Sequence, residues 1–244
     1  MTSDAGIRWI VAVIDRPYPW LSEAAGFWAT VSGTVAQNLK YGRFVELRRD
    51  HTDDWLLAQG LVDGPGGVHL DLSVTDPDRF ARRAVAAGAT VVAVHNSWTV
   101  LISPSGVPFC VAAWKGEDRC PAPSRRVSRV DRVCLDVAPS AYGAEAAFWP
   151  ALTGWPIEAC DVAGLSRLRS PETIPINVWL QRLDEERPAS LHVDVTTSAM
   201  AATRAWHESL GAACSGVGPH GTVLLDPAGA PYCLVEDKAS TGLR

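Results

Sequence analysis

The sequence predicts an α+β fold made of two tandem copies of one domain, each of which pairs two βαβββ modules. Three observations lead to this prediction. The chain has 244 residues, which suits two domains of about 120 residues better than one. Motifs of the first half return in the same order in the second half. In each half, the pattern of a strand, an amphipathic helix and three strands can be read twice in succession.

Five matched segments define the internal repeat. The clearest pair is 68–72 (VHLDL) with 191–195 (LHVDV), in which His69 and His192 stand 123 positions apart. The other pairs are 99–110 with 222–233, Gly88-Ala89 with Gly211-Ala212, Phe27-Trp28 with Phe148-Trp149, and 55–59 with 177–181. Their common order indicates duplication of an ancestral domain.

The residues between the two copies predict a linker. Segment 115–126 contains Gly116, Pro121, Pro123 and several charged residues, and it has no apolar periodicity. We therefore place domain 1 at residues 1–116, the linker at 117–126 and domain 2 at 127–244.

The first module begins with a β-branched strand at 9–15. Apolar residues then recur at helical spacing, and Gly33 stands where a helix ends. The helical positions are Trp20, Leu21, Ala24, Phe27, Trp28 and Val31. Segments 34–39, 42–49 and 54–61 complete this module as strands.

The second module begins at 68–74, where apolar and polar residues alternate strictly, so that one face of the strand packs and the other does not. Asp76-Pro77 predicts the start of a helix, and segments 91–94, 98–103 and 109–114 follow as strands. Pro104 and Gly106 predict a tight turn between the last two. In the second copy, Pro150 lies inside a predicted helix, which we expect to kink or end there.

The composition excludes several classes of protein. With 47% hydrophobic and 20% charged residues, the chain has the material for packed cores. Its 22 basic residues are outnumbered by 27 acidic ones and form no dense run, which argues against nucleic acid as a partner. The N-terminus has neither a basic nor an apolar region, so we expect no secretion and no membrane insertion. Six cysteines scattered singly are typical of reduced thiols in a cytoplasm.

Short motifs shared by both halves point to a family. They are Phe27-Trp28 leading to Gly33, the strand 69–72 (HLDL), 88–90 (GAT), and the turn 103–106 (SPSG) before 109–110 (FC). Over residues 7–115 and 128–236 the chain resembles the vicinal-oxygen-chelate superfamily, and within it the glyoxalase-like and bleomycin-resistance-like domains of high-GC bacteria. This resemblance implies a cup-shaped antiparallel sheet around a cavity, with helices outside. Function varies among members, so the cavity residues must decide it.

The resemblance also implies four positions for ligands of a divalent metal in each domain. The first half has Trp9, Gln59, His69 and Cys110 there, and the second half has Arg132, Gln181, His192 and Cys233. An imidazole or a thiolate can bind Zn²⁺-type ions, whereas an indole cannot, a guanidinium repels a cation and a neutral amide binds weakly. We therefore expect no metal and no other cofactor; a divalent ion such as Zn, Fe, Mn or Ni is the alternative.

His69 and His192 are the predicted catalytic residues. Each lies on the polar face of its strand, two residues from Asp71 or Asp194 on the same face. A carboxylate at this spacing can tune the imidazole as a general base or pair with a basic ligand. The alternative interpretation is a structural hydrogen bond that both copies retained from their ancestor.

The remaining candidates are assigned to ligand binding, together with Asp71 and Asp194. They are Trp9, Trp55 and Trp179 on strands, Gln59 and Gln181, Cys110 and Cys233, and Arg132. Indole rings on strands, among them Trp98 and Trp114, can stack on an aromatic ligand. Arg132 can hold an anionic group, or instead pair with Asp136. The alternative for the cysteines is a place in the core. Trp28 and Trp149, on the buried faces of helices, are expected in the core.

Two functional hypotheses follow. The first is a cytoplasmic protein that binds a small hydrophobic or aromatic metabolite in a cavity without the usual metal ligands, in a resistance or sequestration role. The second is an enzyme of lyase, isomerase or dioxygenase type. It would be metal-dependent through an irregular His, Gln and Cys set, or metal-free with a cavity histidine as general base. Both a monomer and a homodimer are compatible with the sequence.

Overall fold

The structure is a computed structural model that describes residues 6–38, 42–121, 127–218 and 221–237. Within these ranges, sixteen strands and four α-helices follow one another in the order of two repeats. The predicted linker is described only as far as Pro121, because residues 122–126 lie outside the described ranges. Residue 39, the predicted end of one strand, also lies outside them.

The first repeat contains two βαβββ modules. The first module comprises β1 (Ile7–Pro17), α1 (Leu21–Ser32), β2 (Val35–Asn38), β3 (Phe44–Arg48) and β4 (Leu56–Leu61), with a short 3-10 helix at Tyr18–Trp20. The second comprises β5 (Gly67–Val74), α2 (Pro77–Ala86), β6 (Thr90–Val94), β7 (Trp98–Ile102) and β8 (Pro108–Ala113).

The second repeat has the same order of elements. Its first module comprises β9 (Ser128–Val137), α3 (Pro139–Thr153), β10 (Ile157–Ala159), β11 (Leu165–Leu168) and β12 (Asn177–Arg182). Its second comprises β13 (Ser190–Thr197), α4 (Met200–Ser209), β14 (Ala213–Gly218), β15 (Gly221–Leu225) and β16 (Pro231–Glu236). The βαβββ order and the α+β class predicted from the sequence are confirmed.

Each repeat forms one eight-stranded sheet. The strand orders are β2-β3-β4-β1-β5-β8-β7-β6 and β10-β11-β12-β9-β13-β16-β15-β14. Both sheets are mixed and not antiparallel throughout, since β5 pairs parallel with β8 and β13 pairs parallel with β16. The reason is the helix after β5 or β13, which returns the chain to the end where that strand began. Two hairpins then bring the last strand alongside in the same direction.

The contacts between residues divide the chain into two compact units that do not follow the repeats. The first compact unit contains the described residues of 1–12, 69–120 and 133–191, and the second contains those of 13–68, 121–132 and 192–244. Each unit therefore combines parts of both repeats. The predicted domains, 1–116 and 127–244, follow the sheets and stay a prediction.

Each compact unit has an aromatic core built on a duplicated tryptophan. In the first unit, Trp149 of α3 packs against Phe109 of β8, with ring centroids 5.5 Å apart. In the second unit, Trp28 of α1 packs against Tyr232 of β16, with centroids 5.1 Å apart. Both tryptophans are fully buried, so the expectation that they belong to the core is confirmed.

Local sequence signals explain most helix ends. Gly33 closes α1 in the left-handed region, with a φ of 69°. The Asp76 carboxylate accepts a hydrogen bond from the Arg79 N–H at the start of α2. The helix α3 does not end at Pro150 but continues to Thr153 and closes at Gly154. The other expectation, a kink at Pro150, stays a prediction.

Of the helices in the described part of the chain, none has both the length and the apolar run that crossing a membrane requires.

Candidate functional site

The first cluster, defined as His69, Asp71 and Cys110, lies on one face of the strands β5 and β8. The even-numbered residues of β5 from 68 to 74 are buried, so strand alternation places His69 and Asp71 together on the opposite face. Asp71 is paired in register with Cys110 of β8. The Nε2 atom of His69 lies 3.3 Å from Oδ1 of Asp71, and the ligand atoms of all three residues lie within 4.8 Å of one another.

The first cluster is only partly open to solvent. The side chain of His69 is 10% exposed and that of Asp71 is 40% exposed. Oδ1 of Asp71 is nevertheless buried, and no hydrogen bond to it is formed within the described residues. Burial raises the pKa of the Cys110 thiol, and a hydrogen bond with His69 offsets this only in part. The thiol is therefore protonated at neutral pH and is a poor nucleophile.

The second cluster, defined as His192, Asp194 and Cys233, repeats this geometry on β13 and β16. Asp194 is paired in register with Cys233, and Nε2 of His192 lies 3.1 Å from Oδ1 of Asp194. Here too the three ligand atoms lie within 4.8 Å of one another. The structure therefore brings together, in each repeat, a histidine, an aspartate and a cysteine that the sequence had singled out.

A cation distinguishes the second cluster from the first. The Nε atom of Arg132, on β9, lies 2.8 Å from Oδ2 of Asp194, and both side chains are nearly buried. The sequence offered Asp136 as an alternative partner of Arg132; Asp136 accepts a hydrogen bond from Arg187 at 2.8 Å. The position equivalent to Arg132 in the first repeat holds Trp9, which is fully buried.

This difference decides which cluster fits a divalent ion. The first cluster offers a nitrogen, a carboxylate oxygen and a sulfur, a donor set that suits Zn²⁺, and it includes the buried Oδ1 of Asp71 without a hydrogen bond. The second cluster offers the same atoms, including a buried Oδ1 of Asp194 without a hydrogen bond from the described residues, but the Arg132 guanidinium already supplies a positive charge to Asp194. A second cation beside it would be repelled. The residues thus fit a metal at the first cluster and do not fit one at the second.

The other predicted site residues make contacts of their own. Trp55 is buried and donates its indole N–H to the carbonyl oxygen of Val130 at 3.1 Å, so it serves the core. The Trp179 ring lies 5.9 Å from the guanidinium carbon of Arg167. Gln59 of β4 is paired in register with Phe44 of β3, and Gln181 of β12 is paired with Leu165 of β11. Arg167 and Arg169 both pair with Glu158.

A buried histidine was not predicted from the sequence. His207 of α4 is fully buried, and its Nδ1 shares a hydrogen bond of 2.9 Å with the hydroxyl of Tyr232. Burial lowers the pKa of His207 to about 4 and raises that of Tyr232 well above its usual value. The repeat could have indicated this burial: the residue equivalent to His207 in the first repeat is Ala84, which is a core residue of α2.

A family model described as Glyoxalase-like domain matches residues 12–112 and, separately, residues 132–235. Among curated proteins, no match is found.

Solved structures of related architecture extend over nearly the whole chain. The Mn(II)-bound glyoxalase from Novosphingobium aromaticivorans has a TM-score of 0.65 at 14% identity, with 96% of this chain and 82% of that chain covered. The 2,2',3-trihydroxybiphenyl 1,2-dioxygenase from Sphingomonas wittichii has a TM-score of 0.63 at 11% identity, with 94% and 90% covered. A variant of 4-hydroxymandelate synthase from Streptomyces coelicolor has a TM-score of 0.59 at 13% identity, with 96% and 92% covered. At these identities the likeness shows the fold and leaves the function to the site.

Proposed function

Because this chain belongs to the family of glyoxalase-like domains, we propose that it binds a small hydrophobic or aromatic metabolite at the first cluster. The observation that carries this proposal is Oδ1 of Asp71, a buried carboxylate oxygen that has the His69 Nε2 atom 3.3 Å away but accepts no well-formed hydrogen bond from the described residues. A buried acceptor that is only weakly paired favours an additional donor. An N–H or O–H group of a bound molecule would satisfy it, while Cys110 and the strand backbone around it would contact the apolar part.

The second cluster supports this assignment by contrast. Within the described residues, Oδ1 of Asp194 is also buried without a hydrogen bond, but Oδ2 of this carboxylate is paired with Arg132 at 2.8 Å, so that a positive charge already lies beside it. We propose a resistance or sequestration role in the cytoplasm, a location supported by the six cysteines, none of which forms a disulfide.

The test is a binding titration with 2-naphthol, which combines an O–H donor with a planar apolar ring. We expect saturable binding followed by tryptophan fluorescence, and a loss of affinity of roughly tenfold in Asp71→Ala, since hydrogen bonds to charged groups are among the stronger ones. The analogue 2-methoxynaphthalene, which lacks the donor, should bind more weakly to the wild type and equally well to both proteins. His192→Ala is the matched control in the second cluster and should bind 2-naphthol like the wild type. Absence of saturable binding, or equal affinity in Asp71→Ala, would contradict the proposal.

The donor set of the first cluster favours a second candidate, an enzyme of the family's lyase, isomerase or dioxygenase type. His69, Asp71 and Cys110 would hold a divalent ion, which when bound polarises a substrate oxygen or acidifies a water molecule. Without a metal, His69 would act as a general base, oriented by the Asp71 carboxylate 3.3 Å from its Nε2 atom.

Metal analysis separates the two candidates. The untagged protein should be purified, dialysed and measured for Zn, Fe, Mn and Ni against the Cys110→Ser variant. Stoichiometric metal that is lost in this variant would establish the metal-dependent candidate. Metal-free protein that binds 2-naphthol with unchanged affinity after addition of Zn²⁺ would favour the binding protein.

A further inference from the structure

We propose that the ligand of the first cluster is a planar aromatic molecule and that Trp98 is the residue on which its ring stacks. This inference rests on the proposed function, since it takes the first cluster as the polar end of the site. It narrows the chemical class of the ligand and adds a specificity-determining residue.

Strand register places Trp98 on the same face as the first cluster. In the antiparallel pair of β7 and β8, Val100 lies opposite Cys110 and Trp98 lies opposite Ala112. In the parallel pair of β5 and β8, Ala112 lies opposite Ser73. Trp98, Ala112 and Ser73 therefore form one row across the sheet, with Trp98 at its end. The neighbouring row contains Cys110 and Asp71 of the first cluster.

The dimensions of this face suit a flat molecule. From strand spacing and rise, the Cα atom of Trp98 lies about 8 Å from that of Cys110, a distance that a bicyclic aromatic molecule can bridge. Ala112, which adjoins both residues, and Ser73 beyond it have small side chains, and Val100 lies beside Trp98 and Cys110 on the same face. A ring can therefore lie flat against the strands, with its polar group at Asp71 and its far edge at the indole.

The Trp98 indole is oriented but still accessible. The His95 ring stacks on it, with centroids 4.5 Å apart and an angle of 27° between the planes. The backbone N–H of His95 donates a hydrogen bond of 2.9 Å to the Trp98 carbonyl, which closes the hairpin that carries both rings. Trp98 is nevertheless 43% exposed. A ring that is held in place and exposed loses little entropy when a ligand stacks on it.

A second indole lies at the same end of this face. The backbone N–H of Trp114 donates a hydrogen bond of 2.9 Å to the carbonyl of Val74, so Trp114 extends β8. Strand alternation then places its side chain on the same face as Cys110 and Ala112. Its indole N–H is bound by the Glu117 carbonyl at 2.9 Å, and it is 41% exposed. Two indoles therefore lie beside Ala112 and Ser73 at this end of the face, and the guanidinium carbon of Arg8 lies 5.9 Å from the Trp114 ring.

The second repeat lacks both indoles. The equivalent of Trp98 is Gly221, where a Cβ atom would collide with the carbonyl oxygen of Leu234, so that no side chain can be accommodated there without a shift. The equivalent of Trp114 is Asp237, which pairs with Arg129 at 2.7 Å. The aromatic border is thus confined to the first repeat, and so is the aromatic ligand that we propose.

The experiment compares substitutions of Trp98 in the full chain, with 2-naphthol as the probe. We expect Trp98→Ala to weaken binding roughly tenfold and Trp98→Phe to stay within about threefold of the wild type, since a phenyl ring retains the stacking surface. Trp98→Leu keeps apolar area without a π face and should resemble Trp98→Ala. Trp20→Ala, which removes another exposed tryptophan, is the matched control and should bind like the wild type.

The outcomes distinguish this inference from the proposed function. If Trp98→Ala binds 2-naphthol normally while Asp71→Ala does not, the inference is overturned and the proposed function stands. If neither substitution changes the affinity, both are overturned. If Trp98→Leu binds as well as Trp98→Phe, the contact is merely apolar and the stacking role of Trp98 is wrong.

Discussion

The carboxylate of Asp226 accepts a hydrogen bond of 3.0 Å from the indole nitrogen of Trp28, a residue 198 positions away in the sequence. The same oxygen accepts a hydrogen bond of 2.7 Å from Nε of Arg16, and all three side chains are buried. In the other repeat, the indole of Trp149 donates at 2.7 Å to Glu145, one turn earlier in its own helix. Both copies of the duplicated tryptophan thus have a buried acceptor, which for Trp28 comes from the other repeat and for Trp149 from its own helix.

Removing the charge of Asp226 should destabilise the protein strongly. In Asp226→Asn the guanidinium of Arg16, whose side chain is 1% exposed, loses its counter-ion. We expect the free energy of unfolding to fall by about 3 kcal/mol, as for other broken buried pairs. Urea unfolding followed by circular dichroism measures it, with the exposed Asp161→Asn as control. A loss no larger than that of the control would show that the Arg16 pair does not stabilise the fold.

The hydrogen bonds of the Glu145 carboxylate should also be important for stability. Its two carboxylate oxygens accept hydrogen bonds from the Trp149 indole and from the backbone N–H of Ser105, at 2.7 and 3.0 Å. Glu145→Ala leaves both donors unpaired in the core, which should cost about 2–3 kcal/mol. Urea midpoints compared with those of the exposed Glu172→Ala provide the measurement. Equal midpoints in the two variants would mean that water replaces the carboxylate without cost.

The pair of His207 and Tyr232 predicts a loss of stability in mild acid. Burial lowers the pKa of His207 from 6.5 to about 4 in the folded protein, so below pH 6.5 the unfolded chain takes up a proton that the folded chain does not. The contribution of neutral His207 to the free energy of unfolding is therefore complete above pH 6.5 and declines as the pH falls towards 4. Between pH 7 and pH 5 the decline should be about 2 kcal/mol.

The first repeat provides the matched control for this pair. Its equivalent residues are Ala84 and Phe109, which are buried and do not titrate. The double variant His207→Ala/Tyr232→Phe recreates them in the second repeat. Urea unfolding at pH 7 and pH 5 should show that the variant loses about 2 kcal/mol less than the wild type between the two pH values. Identical losses would place the titration elsewhere.

Arg132 should prevent the second cluster from binding a divalent ion. In Arg132→Ala the positive charge beside Asp194 is removed, while His192 and Cys233 remain. We expect this variant to bind one more Co²⁺ per chain than the wild type, measured by equilibrium dialysis and by sulfur-to-cobalt absorption. Arg132→Lys, which keeps a charge, and Arg129→Ala, which removes an arginine that pairs with Asp131 and Asp237, should not gain this ion. An unchanged stoichiometry in Arg132→Ala would show that the cluster is not a metal site even when it is unblocked.

Much of the fold could be predicted because its signals are local. The alternation at 68–74 placed His69 and Asp71 on one face, and Gly33 and Asp76 marked helix ends that the structure confirms. The helix α3 runs past Pro150 to Thr153. The rule that proline breaks helices does not say how many residues follow before the helix ends. Sheet direction also needed more than local patterns, since the parallel pair of β5 and β8 depends on the path of the intervening chain.

The sequence predicted which residues form the two clusters, but not all of the contacts that set their charge. The sequence identified both histidines, both aspartates and both cysteines of the clusters, but for Arg132 it offered an anionic ligand or a pair with Asp136. The structure shows a pair of Arg132 with Asp194. The sequence assigned Trp55 to ligand binding, and in the structure its buried indole N–H donates to a backbone carbonyl. Such contacts join strands that are distant along the chain.

The sequence by itself determined the duplicated βαβββ modules and the face on which each side chain of a strand lies. Both follow from periodicities that a few neighbouring residues encode. Only the tertiary structure decided that Cys110 stands opposite Asp71, that Arg132 binds Asp194 and that Trp28 is bound by Asp226. Strand register and side-chain packing settle such pairs after long segments of chain are brought together. No residue carries a local sign of its partner. The sequence alone therefore did not show that, of two clusters with identical composition, only the second has the charge of Arg132 beside its aspartate.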